Sequence, residues 1–166
     1  MKYRIPFAIS ILFWATFFAQ SVWARDTNHL YSTWKGLEPD KCASAWLIAR
    51  FIDSQAVFKM IDRGQTISQG TGFDTPQARF RVSHRGSTFD SMCEHYNIED
   101  PAVLRIRRII RDIELNTWEE NLTSEASGLQ ALINGLRIKN SESVQALKKS
   151  FVLFDWLYAH FASKKP

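Results

Sequence analysis

Only two cysteines, Cys42 and Cys93, occur among the 166 residues, which excludes a disulfide-stapled scaffold and allows at most one bridge within the chain. No CxxC or HxxxH pair is present, so the tight ligand spacings that mark a metal site in sequence are missing. The chain also lacks a Gly-rich phosphate loop, a hydrolase nucleophile elbow and a Ser-His-Asp order, which removes the most recognisable classes of nucleotide-binding and acyl-transfer enzymes. There is no internal repeat and no low-complexity tract. No apolar run reaches the roughly 20 residues that a membrane span requires.

The apolar run that does occur lies at the start. Lys2 and Arg4 precede Ile5 to Phe18, which only Ser10 and Thr16 interrupt, and Val22-Trp23-Ala24 closes the segment with small residues at alternate positions. This order predicts a secretory signal cleaved after Ala24, a periplasmic or secreted product, and no stable membrane anchor once the signal is gone. Loss of Lys2 and Arg4 lowers the net charge from +4 to +2, with 19 basic residues facing 17 acidic ones, a balance that does not point to nucleic acid. Residues 25–166 suffice for one domain with a core of its own. In the oxidising compartment that export implies, Cys42 and Cys93 form a candidate disulfide. Asn121-Leu122-Thr123 matches a glycosylation sequon.

Residues 25–37 show little periodicity and read as a loose leader, with a single domain over 38–166. Asp40 suits an N-cap for a helix carrying Ala43, Trp46, Leu47 and Phe51. Ala56 to Ile61 is β-prone, and a second strand is expected where Phe80, Val82 and His84 alternate with Arg79, Arg81 and Ser83. Further helices are predicted near Thr88 to Tyr96, from Asp100-Pro101 along the isoleucine stripe 106, 109, 110 and 113, over Ser124 to Leu136, and over Ser141 to Phe161. The expected fold is therefore α+β, mostly helical with about five helices, and a small two- or three-stranded antiparallel sheet.

Ionisable residues on apolar stripes carry the chemistry. His84 shares a face with Phe80 and Val82, Glu125 with Leu129, Leu132 and Leu136, and Asp155 with Phe151 and Tyr158, while Asp40 lies one turn before Ala43. Buried charges need partners or a metal, so His84, Glu125, Asp40 and Asp155 are candidate ligands of a divalent metal ion, and a structural network is the plainer alternative. Separately, His84-Arg85-Gly86-Ser87 leads into a helix whose free N–H groups, with the Arg85 guanidinium, could hold a tetrahedral dianion such as sulfate or chromate. An ordinary strand-to-helix turn is the alternative there. Arg105, Arg107, Arg108 and Arg111 read as a solvated face with Asp112 and Glu114 to pair with.

The stretch from Asp40-Lys41-Cys42 to Asp53 resembles the opening signature of the chromate resistance exported protein family. In the same order follow Gly72-Phe73-Asp74, Ser83-His84-Arg85-Gly86 with Phe89, Asp100-Pro101-Ala102, Arg111 to Glu114, Glu125 to Leu129, and Phe154 to Tyr158, so the likeness covers about residues 38–161. The domain is shared with the C-terminal part of chromate-resistance regulators, whose DNA-binding portion has no counterpart here. The resemblance implies a role in resistance that lowers chromate accumulation, with a small inorganic oxyanion as partner. Two mechanisms stay open: a binding protein for that oxyanion or a metal ion, or a metal-dependent enzyme, redox or hydrolytic.

Overall fold

The computed structural model describes residues 29–116 and 122–163. The expected signal, residues 1–24, and the sequon's Asn121 lie outside the described residues.

The supposed loose leader contains the central strand of the sheet. β1 (Leu30–Trp34) is followed by helix α1 (Pro39–Leu47), which runs into a π-helical turn over Ile48–Ile52, and the chain then returns as β2 (Val57–Ile61) beside β1. The pairing is parallel, Leu30 opposite Val57 and Trp34 opposite Ile61, as a strand–helix–strand crossover permits and a hairpin does not. A short β3 (Thr71–Gly72) adds to the other side of β1, also parallel, giving the order β2-β1-β3. The expected antiparallel sheet is thus overturned. Residues 79–84 form no strand: Phe80 makes a single parallel bridge to Phe73, and Ser83 and Gly86 close a tight turn.

The reason is visible in β1. Tyr31, Ser32 and Thr33 are all buried, so the strand is covered on both faces and has no alternation to read. The Ser32 hydroxyl donates to the Gln69 carbonyl at 2.7 Å, whereas the buried Thr33 hydroxyl has no hydrogen-bond partner among the described residues. Gly70 (φ +75°) lets the following strand approach, because a Cβ there would lie 2.3 Å from the Leu30 carbonyl oxygen.

About five helices were expected, and five α-helices are found among the described residues. The remaining four are α2 (Thr88–His95), α3 (Pro101–Leu115), α4 (Ala126–Lys139) and α5 (Val144–Ser163). Asp100 caps α3 through the Ala102 and Val103 N–H groups, with Pro101 at the first helical position. Trp46, Phe89, Met92, Ile106, Ile110 and Phe154 form the fully buried centre. Each large apolar side chain of this kind stabilises the fold by about 1.5–3 kcal/mol relative to exposure. The Leu132 face of α4 is not part of it: Leu132 is exposed, and Ile133 is buried instead. Among the described residues, no helix is long and apolar enough to cross a membrane.

Asp112, expected to pair with the arginines beside it, fastens the segment after α3. It accepts hydrogen bonds from the Thr123 hydroxyl (2.7 Å), the Thr123 and Leu122 N–H groups (2.8 and 3.1 Å) and the Asn116 amide (3.1 Å). Burial pulls its carboxyl up, but these donors outweigh burial and hold it at about 2. A depressed carboxylate contributes stability above the unfolded-state value and loses it as pH falls through the folded one. The stability difference between wild type and Asp112→Asn, measured by urea unfolding, should therefore be full at neutral pH and shrink between about pH 4 and about pH 2.

Candidate functional site

Because the three strands are parallel, their carboxyl ends open on the same side, where small-molecule sites of such sheets form. A cleft of about 460 Å³ lies there. Trp34 ends β1, Arg63 stands two residues after β2 and Asp74 two residues after β3, and all three line it. Glu38 and Lys41, from the start of α1, and Arg81, from the loop before α2, complete its polar wall. A smaller cleft of about 280 Å³, with Lys35, Asp62, Arg137 and Glu142 on its walls, adjoins it across the Glu38–Arg63 ion pair (2.6 Å).

Lys41 is the unusual member. Only 1% of it is exposed, and its ammonium has the Asp74 Oδ2 at 3.3 Å and the Glu38 Oε2 at 3.5 Å. Three N–H donors thus meet two distant acceptors. Asp74 has a left-handed backbone (φ 52°), uncommon outside glycine, and its N–H donates to the Phe80 carbonyl at 2.8 Å. The Thr88 hydroxyl donates to its Oδ1 at 3.0 Å, whereas its buried Oδ2 has no hydrogen-bond partner among the described residues.

Beneath the cleft, Asp40 joins two helices. Its carboxylate accepts from the Thr88 N–H (2.6 Å), the Phe89 N–H (2.8 Å) and the Ser44 hydroxyl (3.3 Å). Asp40 therefore caps α2, and the N-cap of its own helix is Glu38, with Pro39 following. Burial, then Asp74 and Glu114, push the Asp40 carboxyl well above the usual range. Burial likewise lifts Glu114 to about 7, helped by Asp74 and Glu38, although it accepts from the Asp40 N–H. Glu38, Asp74 and Glu114 thus all act on one buried ammonium, that of Lys41.

The residues singled out in the sequence are dispersed. His84 and Arg85 are exposed on the turn, not buried on a strand face. Ser87 caps α2 in a capping box with Asp90, whose Oδ2 accepts the Ser87 N–H at 2.9 Å. With Thr88 and Phe89 given to Asp40, the α2 N-terminus is filled by the protein's own carboxylates. Gly86 is needed for that, since a Cβ would lie 2.7 Å from the Asp90 side chain. Asp155 receives the Trp46 indole N–H (2.8 Å) and Arg50 (2.9 and 3.0 Å), and Glu125 receives the Ser124 hydroxyl at the start of α4. Among the described residues, no group of three or more His, Cys, Asp or Glu is placed to hold a metal ion. Cys42 and Cys93 are free thiols, each buried along its own helix, so the candidate bridge is not formed; burial pushes both up to about 12. Arg107 reaches Asp90 (2.5 Å) and Glu94 (2.6 Å) on α2, and so pairs across helices, not with Asp112 and Glu114.

The family model described as "ChrB, C-terminal domain" matches residues 31–161. The chain belongs to this family. The ChrB-type domain is a chromate-resistance domain, and the match runs from the second residue of β1 to Phe161 near the end of α5, taking in the whole cleft. Protein ChrB of Cupriavidus metallidurans is 30% identical over 137 residues, which cover 81% of this chain and 41% of that protein, so the chain matches less than half of its relative. No solved structure matches. Lys41, Asp74 and Glu114 all fall within the ordered motifs, but nothing in their spacing distinguishes them from helix and loop charges of the ordinary kind.

The raised Glu114 gives a signed expectation. An acid whose folded value lies above its unfolded one costs stability progressively as pH rises between the two. Glu114→Gln should therefore raise the melting temperature at pH 8, by an amount on the order of 2 kcal/mol of stability, and change it little at pH 4.5, as calorimetry would show.

Proposed function

We propose that the domain serves chromate resistance as an exported protein that binds the chromate oxyanion in the cleft at the carboxyl edge of the sheet. Lys41 carries this reading. A buried ammonium at the floor of an open cleft, with both acceptors at 3.3 Å or more, has donor capacity that a ligand oxygen can take up. Arg63 and Arg81 add two cations, so the lining holds three positive groups against Glu38 and Asp74. The turn at His84 and Arg85 lies outside this lining, and its helix N–H groups are already engaged.

Reduction of chromate by the protein's thiols finds no support in these surroundings. Thiolate is the reactive form, and Cys42 and Cys93 are buried with values near 12. The metal-dependent alternative likewise lacks a convergent ligand set among the described residues. Export rests on the charge, apolar run and small-residue order of residues 1–24.

Isothermal titration of the purified protein with potassium chromate is expected to show saturable binding that Lys41→Met weakens at least tenfold, about 1.4 kcal/mol. Arg81→Gln, at an exposed position, should weaken it in the same direction without disturbing the core. A wild-type protein that takes up no chromate at millimolar concentration sinks the reading. For export, N-terminal sequencing of the protein from a bacterial periplasm should begin at Arg25; retention of Met1 would contradict it.

A further inference from the structure

A site built from cations alone would treat chromate, phosphate and sulfate alike, since all are tetrahedral oxyanions of similar charge. Asp74 makes this cleft different. A carboxylate beside an anion site is repulsive unless the ligand offers it a hydrogen-bond donor. Resting on the oxyanion reading above, we infer that the cleft selects oxyanions that carry a proton, and that Asp74 Oδ2 accepts the hydrogen bond from the ligand's O–H.

The geometry supports this in three ways. The Asp74 side chain is 8% exposed, and its Oδ2 is buried without a hydrogen-bond partner among the described residues. The carboxylate is fixed in place, since its backbone is left-handed, its N–H is tied to Phe80 and its Oδ1 is held by the Thr88 hydroxyl. Lys41 lies 3.3 Å from the same oxygen, so one ligand can donate to Asp74 and accept from Lys41 at adjacent oxygens. The charged groups around Asp74 are Glu38, Asp40 and Lys41 from the start of α1, Glu114 from α3 and Arg81 across the cleft. Of these, Lys41 is the buried cation.

The ligand chemistry follows. Phosphate holds at least one proton at neutral pH and chromate gains one close to neutrality, whereas sulfate loses its last proton in strong acid. Phosphate and hydrogen chromate can each give an O–H to Asp74 and present the other oxygens to Lys41, Arg63 and Arg81. Sulfate would set an oxygen lone pair against the carboxylate. Sites that require a ligand hydrogen can reject the analogue lacking it by up to about 10⁴–10⁵-fold. A smaller factor is expected here, because the cleft is open to water.

The test is isothermal titration of the wild-type chain and Asp74→Asn with potassium chromate, sodium phosphate and sodium sulfate, at pH 7 and constant ionic strength. Wild type should bind chromate and phosphate at least tenfold more tightly than sulfate. Asparagine tolerates the left-handed backbone and offers an N–H where aspartate accepts, so Asp74→Asn should gain sulfate affinity and bring phosphate and sulfate within about threefold. Chromate binding with no preference over sulfate in wild type overturns this inference and leaves the cleft reading standing. An unchanged preference in a folded Asp74→Asn, checked by circular dichroism, overturns it in the same way. If Asp74 itself carried the proton, wild type would accept sulfate readily, which is the first of those outcomes. Failure of wild type to bind any of the three oxyanions overturns both proposals.

Discussion

The carboxylate of Asp40 is the constraint on which the arrangement of this domain depends. It sits in the first turn of α1 and accepts the Thr88 and Phe89 N–H groups that open α2. Two helix N-termini are joined at one point, and α2 begins where the Asp40 carboxyl oxygens accept N–H groups that have no partner within the helix. Removing the carboxylate would leave those N–H groups buried without acceptors, at about 1–3 kcal/mol each. The same contact fixes the two residues beside it. Lys41 follows Asp40 on α1, and the Thr88 side chain, next to the N–H that Asp40 holds, reaches Asp74. The cleft is built outward from this junction.

Much of the helical part was legible in the residues. The Asp100-Pro101 start of α3, its isoleucine stripe and the aromatic spacing of α5 are local signals that require no knowledge of distant partners. The sheet was not legible, for a physical reason. Leu30–Trp34 is covered on both faces and pairs with two strands beyond a helix or a loop, so neither alternation nor turn chemistry marks it. Residues 79–84 do alternate, yet only Phe80 is buried, and Val82 and His84 lie in the open. Periodicity over six residues proved weaker evidence than the length of that run suggests.

The candidate site shows the same division. Asp40 was identified as buried, correctly, but its role as a cap was assigned to the wrong helix, because Thr88 lies 48 residues away and sequence offers no register between them. The turn at Gly86 has the residues of an anion loop, and it does bind anions: the side chains of Asp40 and Asp90. Local composition cannot tell an internal carboxylate from an external oxyanion, since both satisfy the same N–H groups. Lys41 and Asp74 gave no pattern at all. Their meaning lies in the long Lys41–Asp74 ion pair, which only three-dimensional placement reveals.

Charge around Lys41 works against redox chemistry at sulfur. Glu38, Asp40, Asp74 and Glu114 outnumber Lys41, and burial with mutual repulsion raises Asp40, Asp74 and Glu114. Asp40 and Glu114 thus bind protons more tightly than free carboxyls do, while Lys41 and the Thr88 hydroxyl pull Asp74 back toward its ionised form. Acidic groups also disfavour any nearby thiolate: Asp74 and Glu38 act against ionisation of Cys42, and Asp90 and Glu94 against that of Cys93. A site meant to reduce chromate through cysteine would need the opposite field, cations set against an exposed sulfur. Here the cations face the cleft and the sulfurs face the core. Thiolate formation, and with it electron transfer from sulfur, is therefore suppressed by the same kind of burial that encloses Lys41 and Asp74.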